Sequence, residues 1–335
     1  LPSNILVTGG LGFIGSNFIR YALERHMDVR IVNVDNLSYG GNPANLWSSG
    51  EEPRYRFIRG DITDKVLITK LVRNIDVVVN FAAESHVDRS IADSWPFIRS
   101  NTEGVLTILD VLRRKAEDTK LIQIGTDEVY GDIVKGSAKE DDKLNPSSPY
   151  AVSKASADMF CLAYRRTYGL KLIITRCTNN FGQFQFPEKL IPKTIISALK
   201  NTPIALYGSG RQVRDWIYVK DHCEALDLVI KEGRAGEIYN ISTGIERDNF
   251  SIVESVLKIM KKDSSLIRHV DDRPGHDSRY SLDSSKIRHE LGWKPRHGFR
   301  ESLRDTVEWY MRNQLWWKPL ISEKILSPEP WKEKW

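Results

Sequence analysis

The stretch "NILVTGGLGFIGSNFIRYALER", residues 4–25, decides the fold. Its first part is a short apolar run closed by glycines, the pattern of a buried strand. Its second part, "FIGSNFIRYALER", spaces apolar residues as a helix does. Between them Gly9, Gly10, Gly12 and Gly15 read as GxGxxG from Gly10 and as GxxGxxG from Gly9. Such a string is weak evidence alone. Between a strand and a helix it is specific, because glycines allow a tight turn and let backbone approach a pyrophosphate at the helix N-terminus. Gly9, Gly12, Phe13, Ile14 and Gly15 are the candidate phosphate-binding residues.

The same alternation continues downstream. "VRIVNVD", "YRFIRGDI", "DVVVNFAA", "KLIQIGT", "KLIITRC" and "EIYNIST" read as six further strands. "TEGVLTILDVLRRK" and "YAVSKASADMFCLAYRRTYG" read as helices, the second ending at Gly169. Near-continuous apolar strands separated by helices imply a parallel sheet covered on both faces. Right-handed crossovers then give an α/β doubly wound parallel Rossmann sheet. After Cys177 the texture changes to aromatics and turn formers, and residues 248–335 carry helices, few strands and a tryptophan-rich tail. The expected division is a dinucleotide-binding domain of residues 1–178 plus 211–247 and a smaller, mostly helical C-terminal substrate domain of 179–210 plus 248–335.

Asp35 ends the second strand about twenty residues beyond Gly15, where a carboxylate binds the adenosine ribose hydroxyls. No Arg follows it in "DNLSYGGN" to receive a 2′-phosphate, which favours NAD over NADP. Asp61, in "GDI", has two readings: a hydrogen bond to the adenine amino group, or a helix cap.

The 335 residues suit one large domain or two closely joined ones. Net charge is +5, with no Lys/Arg block or basic amphipathic stripe, so the surplus suits an anionic ligand and not nucleic acid. Cys161, Cys177 and Cys223 have no zinc-like spacing and read as buried hydrophobes in a reducing cytoplasm. No apolar run is long enough to span a bilayer, and no signal peptide is seen before the first strand. The histidines show no ligand pattern, so no metal is expected, and His86 reads as a loop-packing residue.

"GTDEVYG", residues 125–131, places Asp127 and Glu128 side by side where the fifth strand ends. A solvated loop with Asp127 as a cap explains that; so does a pair of acids tuned apart for proton transfer. In "YAVSK", Tyr150 and Lys154 stand at i, i+4 and share a helix face. An ammonium near a phenol favours phenolate, which makes Tyr150 a candidate base near neutral pH.

Taken together, "TGGLGFIG", "FAAESHVDRSI", "TDEVYG", "SPYAVSK", "NNFG", "FPEKLIP", "RDWIYVKDH" and "DRPGHDSRY" resemble the extended short-chain dehydrogenase/reductases. Within that superfamily the resemblance is to the dTDP-glucose 4,6-dehydratase family, and it runs from the first strand to about Tyr280. Two departures stand out: Gly125 where the family has Ser, and "NNFGQ" where it has "NNYGP". The tail beyond Trp317 lies outside the resemblance, and Trp331 and Trp335 are expected to pack on the protein.

The resemblance implies internal redox catalysis in deoxysugar biosynthesis, for example of rhamnose. Tyr150 takes the C4 hydroxyl proton of glucose as the C4 hydride passes to NAD⁺, with Thr126 fixing the hydroxyl. Glu128 removes the C5 proton, protonated Asp127 serves the departing C6 hydroxyl, the hydride returns to C6, and C5 is reprotonated. It implies NAD contacts at Asn36, Ser38, Ile62, Phe81, Ala82, Ala83, Ser100, Tyr150, Lys154 and Asn179 as well as at the glycine turn, Asp35 and Asp61. Glu84 and Ser85 fall near the nicotinamide and sugar; Asn179 or Asn180, Lys189 and Leu190 near the sugar diphosphate. Arg214 and Arg273 pair with phosphates, and Ala205, Leu206, Tyr207, Asn249, His276 and Tyr280 line the nucleotide end. The family also implies a homodimer through helices around 102–114 and 151–164. Two rivals are an NAD-dependent sugar-nucleotide 4-epimerase, which needs neither Asp127 nor Glu128, and a non-catalytic dinucleotide sensor, which needs neither Tyr150 nor Lys154.

Overall fold

The structure, a computed structural model, describes residues 1–49 and 52–335. Its strands are β1 (Asn4–Thr8), β2 (Arg30–Asp35), β3 (Tyr55–Arg59), β4 (Val77–Asn80), β5 (Lys120–Thr126) and β6 (Leu172–Cys177). Then come β7 (Asn179–Phe181), β8 (Ile204–Tyr207), β9 (Val213–Tyr218), β10 (Ile238–Ile241), β11 (Glu246–Asp248) and β12 (Ile267–Val270). Seven of them form one sheet in the order β3-β2-β1-β4-β5-β6-β10. Every pairing in it is parallel. These are the seven strands expected from the apolar runs. All of β4 and β6 is buried, as strands covered on both faces must be. The edge strand β3 exposes Arg56, Phe57 and Arg59, and charge on an edge discourages further pairing.

Helices Phe13–Arg25 and Val219–Glu232 cover one face, with Phe18, Ile19, Ala22, Leu226 and Val229 in the core. Helices Gly104–Lys115 and Pro149–Tyr168 cover the other through Ile108, Leu112, Ala157 and Cys161. Strand order reverses between β1 and β4, the place where ligands of open α/β sheets bind beyond the strands' carboxyl ends. The ends of β1, β2, β4, β5 and β6 all open on that side.

Helices Leu190–Lys200, Asn249–Met260 and Phe299–Arg312 enclose a further core around Phe181, Ile195, Trp216, Val256, Val307 and Tyr310. Within 211–247, β10 joins the large sheet, whereas β9 pairs with β7 and β11 in a three-stranded sheet. The helix expected from Thr102 begins earlier, at Trp95–Phe97, and passes through a π turn, Ile98–Glu103, before Gly104–Lys115. Trp331 is buried and meets Tyr207 edge-on at 4.9 Å, so the tail packs on the protein.

Candidate active site

A large cleft runs along the carboxyl ends of the sheet. At its start Gly9 has φ +68°, and a Cβ there would sit 2.5 Å from the backbone nitrogen of Ala82. A Cβ on Gly15 would lie 2.5 Å from the Gly9 carbonyl oxygen. Glycine is therefore required for the turn to pass under the end of β4. The N-cap of helix Phe13–Arg25 is Gly12, which offers no side-chain cap, so the first-turn amides are left to an anion. Gly9, Gly12, Phe13, Ile14 and Gly15 all line the cleft.

Asp35 lines it too, accepting from the Leu11 amide at 3.0 Å and the Leu37 amide at 2.9 Å. Burial raises its pKa, and those two amides oppose the rise. Asn36, Ser38, Ile62, Phe81, Ala82, Ala83 and Ser100 complete this half of the wall. Asp61 is not in the wall; it accepts from the Thr63 amide at 2.9 Å and from Asn36 Nδ2 at 3.3 Å, and the cap of the following helix, Lys65–Leu71, is Asp64 and not Asp61. A glycine-lined turn with free amides and a carboxylate at the end of β2 fit a dinucleotide whose adenosine ribose carries no phosphate.

At the other half, Thr126, Asp127, Glu128, Tyr150, Lys154, Asn179, Asn180, Lys189 and Ser85 converge. Helix Pro149–Tyr168 presents Tyr150 in its first turn, because Ser148 caps it by accepting from the Ala151 amide and Pro149 occupies its first position. Replacing such a cap by Ala costs ~1 kcal/mol. Tyr150 is held from behind by its own amide, which donates to Ser90 Oγ at 3.1 Å. Lys154 Nζ donates to the Ile124 carbonyl at 2.6 Å. The π turn supplies Asn101, which sequence reasoning missed. Its Oδ1 accepts from the Glu84 amide at 2.8 Å and its Nδ2 donates to Ser153 Oγ at 2.8 Å, clamping the loop after β4 to the tyrosine helix.

Thr126 caps the short turn Asp127–Tyr130 and donates to Asp127 Oδ1 at 3.1 Å. Asp127 Oδ2 and Glu128 Oε2 are buried and have no protein partner. Burial first, then the Glu128 charge, pushes Asp127 up to about 8. Burial also leaves Glu128 raised, with Arg273, Arg214 and Lys189 opposing the rise. Neither acid has a bonded cation; Arg214 acts on both, and Glu128 also feels Arg273 and Lys189. Burial, with Glu128 next, holds the Tyr150 phenol well above its ordinary range, and the Thr126 hydroxyl opposes this.

The expected substrate residues divide. Lys189 Nζ donates to the Ser85 carbonyl at 2.7 Å. Asn180 is used internally: its Oδ1 pairs with His222 Nδ1 at 2.9 Å and its Nδ2 donates to the Thr178 carbonyl at 2.9 Å. Arg273, Tyr207, Arg214, Tyr280 and His276 form a linked cluster beside Glu128, outside the cleft wall itself. Asp88, also missed, ties it together, accepting from Arg273 Nη1 at 2.9 Å and from the Tyr207 hydroxyl at 2.8 Å. Arg214 lies 4.1 Å over the Tyr280 ring, and Tyr280 donates to Asp277 at 2.7 Å. Leu206 is buried and Leu190 packs between two apolar clusters. Ala205 pairs in β8 with Arg268, and Asn249 starts a helix, both away from the cleft wall. His86 is buried and lowered to about 4 by burial, a neutral packing residue. Arg89 stacks on Tyr39 and on Trp335 at 3.6 and 3.7 Å and pairs with Glu188 at 2.9 Å, so the tail closes one rim of the cleft. Among the described residues no group of three or more His, Cys, Asp or Glu is placed to hold a metal.

A glycine turn at the switch point, with a Tyr–Lys pair on a helix whose lysine reaches the Ile124 carbonyl of β5, defines the extended short-chain dehydrogenase/reductase class. Within it, the chain belongs to the GDP-mannose 4,6 dehydratase family, whose model matches residues 6–306. It is 45% identical to a dTDP-glucose 4,6-dehydratase of Streptomyces niveus over 97% of this chain and 98% of that protein. It is 47% identical to the low-salt glycan biosynthesis protein Agl12 of Haloferax volcanii, over 92% and 98%. The crystal structure of DesIV, a dTDP-glucose 4,6-dehydratase from Streptomyces venezuelae with NAD bound, superposes with a TM-score of 0.93 at 46% identity, covering 95% of this chain and all (100%) of that one. A UDP-glucose 4-epimerase from Thermotoga maritima superposes at 0.85 with 29% identity, over 93% and 99%.

Proposed function

We propose that the protein is an NAD-dependent dTDP-glucose 4,6-dehydratase, a hydro-lyase that forms dTDP-4-keto-6-deoxyglucose and water for deoxysugar biosynthesis. The observation that carries this is Asp127 beside Glu128 at the end of β5, two buried carboxyls in unequal fields next to Tyr150. An epimerase has no use for that pair.

NAD would be held by the glycine turn, Asp35 and the wall from Asn36 to Ser100, and would supply a group that accepts a hydride and gives it back. Tyr150 receives the C4 hydroxyl proton, with Thr126 fixing that oxygen. Lys154, anchored on Ile124, holds positive charge under the tyrosine. Once C4 is a ketone the C5 proton is acidic, and Glu128, whose charge Arg273, Arg214 and Lys189 favour against burial, removes it. Asp127, protonated at neutral pH, gives its proton to the leaving C6 oxygen. Acid and base are separated by environment, as such a pair requires. Arg273, Arg214 and Lys189 also balance the diphosphate, and Tyr207, His276 and Tyr280 form the nucleotide end. In this reading residues 1–178 with 211–247 are the NAD part and 179–210 with 248–335 the sugar-nucleotide part.

Exposed Trp95, Ile98, Val152 and Met159 on the two helices of the second face support a homodimer, with a second copy covering them. Three buried free cysteines support a cytoplasmic setting, and no helix among the described residues is long and apolar enough to cross a membrane. The test is product analysis with dTDP-, UDP- and CDP-glucose. A 4-keto-6-deoxy sugar from the thymidine substrate is expected; a C4 epimer overturns the reading.

A further inference from the structure

Beneath the reacting groups lies a buried charged pair that the mechanism above does not use. Arg176, on β6, is 1% exposed, and Asp158, on the tyrosine helix, is 0% exposed. Arg176 Nε donates to Asp158 Oδ2 at 2.9 Å, and its Nη1 donates to the Tyr130 hydroxyl at 2.6 Å. Tyr130 donates in turn to Asn240 Oδ1 at 3.0 Å, on β10. Asp158 stands one helical turn after Lys154, and Tyr130 closes the turn that begins with Asp127 and Glu128. One guanidinium therefore links the helix that carries Tyr150 and Lys154 to the turn that carries the two acids.

Gly125 makes room for this link. A Cβ there would sit 2.7 Å from the Thr175 carbonyl oxygen, 3.2 Å from Arg176 Cγ and 3.5 Å from Asp158 Oδ1. The other oxygen, Asp158 Oδ1, has no hydrogen-bond partner. Burying an ion pair is costly, and hydrophobic residues of the same volume commonly do as well or better for stability. A pair kept at this depth needs another use.

We propose that Asp158 and Arg176 are positioning residues of the reaction: their pair braces the oxidising couple, Tyr150 and Lys154, against the eliminating couple, Asp127 and Glu128, and balances charge beneath Lys154. This rests on the dehydratase reading. Both couples must act on one sugar ring in succession, at C4 and then at C5 and C6. A misplacement of about 1 Å in such a site costs on the order of 100-fold in rate. The groups facing Lys154 and Tyr150 are Asp158 and Cys161 from the helix, Cys177 from β6, and Asp127 and Glu128 from the turn. Burial lowers Lys154, and the Asp158 carboxylate opposes this.

The experiment compares Asp158→Asn and Tyr130→Phe with the unaltered enzyme, after its product has been identified. Asp158→Asn leaves Arg176 without its counter-charge. Its kcat is expected to fall about 10-fold or more, and the acidic limb of its pH profile to move down by roughly half a unit or more, since an uncompensated cation favours the tyrosinate. Tyr130→Phe removes only the hydroxyl that Arg176 grips. Its kcat is expected to fall about 3- to 10-fold, with the limb unmoved. KM and NAD affinity are expected to stay within about 2-fold in both. A folded Asp158→Asn with an unmoved limb, or Tyr130→Phe with unaltered kcat, overturns the proposal. Should Asp158→Asn fail to fold, the Tyr130→Phe result decides alone. A different product from the unaltered enzyme defeats the dehydratase reading; variant ratios near unity with the expected product defeat only the brace.

Discussion

Arg273 donates from Nη1 to Asp88 Oδ1 at 2.9 Å, joining positions 185 residues apart in the chain. Burial alone would raise the Asp88 carboxyl, but His86, Arg273 and the hydrogen bonds from Arg273 and Tyr207 outweigh it and hold it at about 2. Asp88 thus anchors a cation and an aromatic ring together, and in the proposed function these two serve the nucleotide sugar. Asp88→Asn is expected to raise KM for the nucleotide sugar about 10-fold or more, with a smaller loss in kcat, since charged hydrogen bonds contribute ~1.5–3 kcal/mol. Steady-state kinetics on the folded variant check this; an unaltered KM removes Asp88 from that role.

Asp127 gives a pH dependence of definite sign. Its ordinary value is 3.8 and its folded value about 8, so the folded protein keeps a proton that the unfolded chain releases between those values. Its contribution to stability is complete below about pH 4 and is lost as pH rises towards 8. In cofactor-free protein, Asp127→Asn is expected to be more stable than the unaltered chain by a margin that grows over this window, to about 1–3 kcal/mol. Thermal unfolding at pH 5 and pH 8 measures it. A margin that does not change with pH means that the carboxyl is not held neutral.

How much of this was legible depended on whether the signal was local. The sheet was legible because β4 and β6 open on runs of three apolar residues and are buried throughout, as a strand covered on both faces requires. The glycine turn and the Tyr150–Lys154 spacing lie within one segment each. Asp88 carried no such signal, since its partners come from β8 and from the 272–280 loop. Asn101 depends on a π turn that shifts the helix register, and no residue pattern marks that turn. For Tyr150, spacing places Lys154 beside it but says nothing of its burial or of Glu128, both of which raise its proton affinity.

Asp35 predicts the choice of cofactor. Its carboxylate accepts two backbone amides, which fixes it where a 2′-phosphate would stand. Like charges there cost affinity. NAD is expected to bind at least 10-fold more tightly than NADP, read by calorimetry on protein stripped of nucleotide. Equal or tighter NADP binding takes Asp35 out of the ribose site.

Tyr150→Phe separates chemistry from structure. Ser90 holds the backbone of residue 150 and Phe97 meets its ring at 6.3 Å, so packing survives the loss of the hydroxyl. Rates are expected to fall by ~10²–10⁴, the usual contribution of a positioned base, with thermal stability and NAD affinity near those of the unaltered protein. Near-normal turnover in a folded variant excludes Tyr150 as the base.

The two acids are expected to fail differently. Glu128→Gln removes the base at C5 but leaves Tyr150 and Lys154 in place, so the sugar is oxidised and then stalls. Reduced-cofactor absorbance is expected to accumulate, and little deuterium to enter C5 from heavy water. Asp127→Asn removes the proton donor to the C6 oxygen. A substrate with fluorine at C6 loses fluoride with less need of that proton. The Asp127 variant is therefore expected to be impaired less on the fluoro substrate than on dTDP-glucose, whereas the Glu128 variant is impaired on both. The division is favoured by their surroundings: both acids are buried and feel Arg214, but the Glu128 charge raises Asp127, whereas Glu128 also feels Arg273 and Lys189. Equal proportional losses on both substrates in both variants would mean that the acids act together, as a shared field and not as an acid and a base.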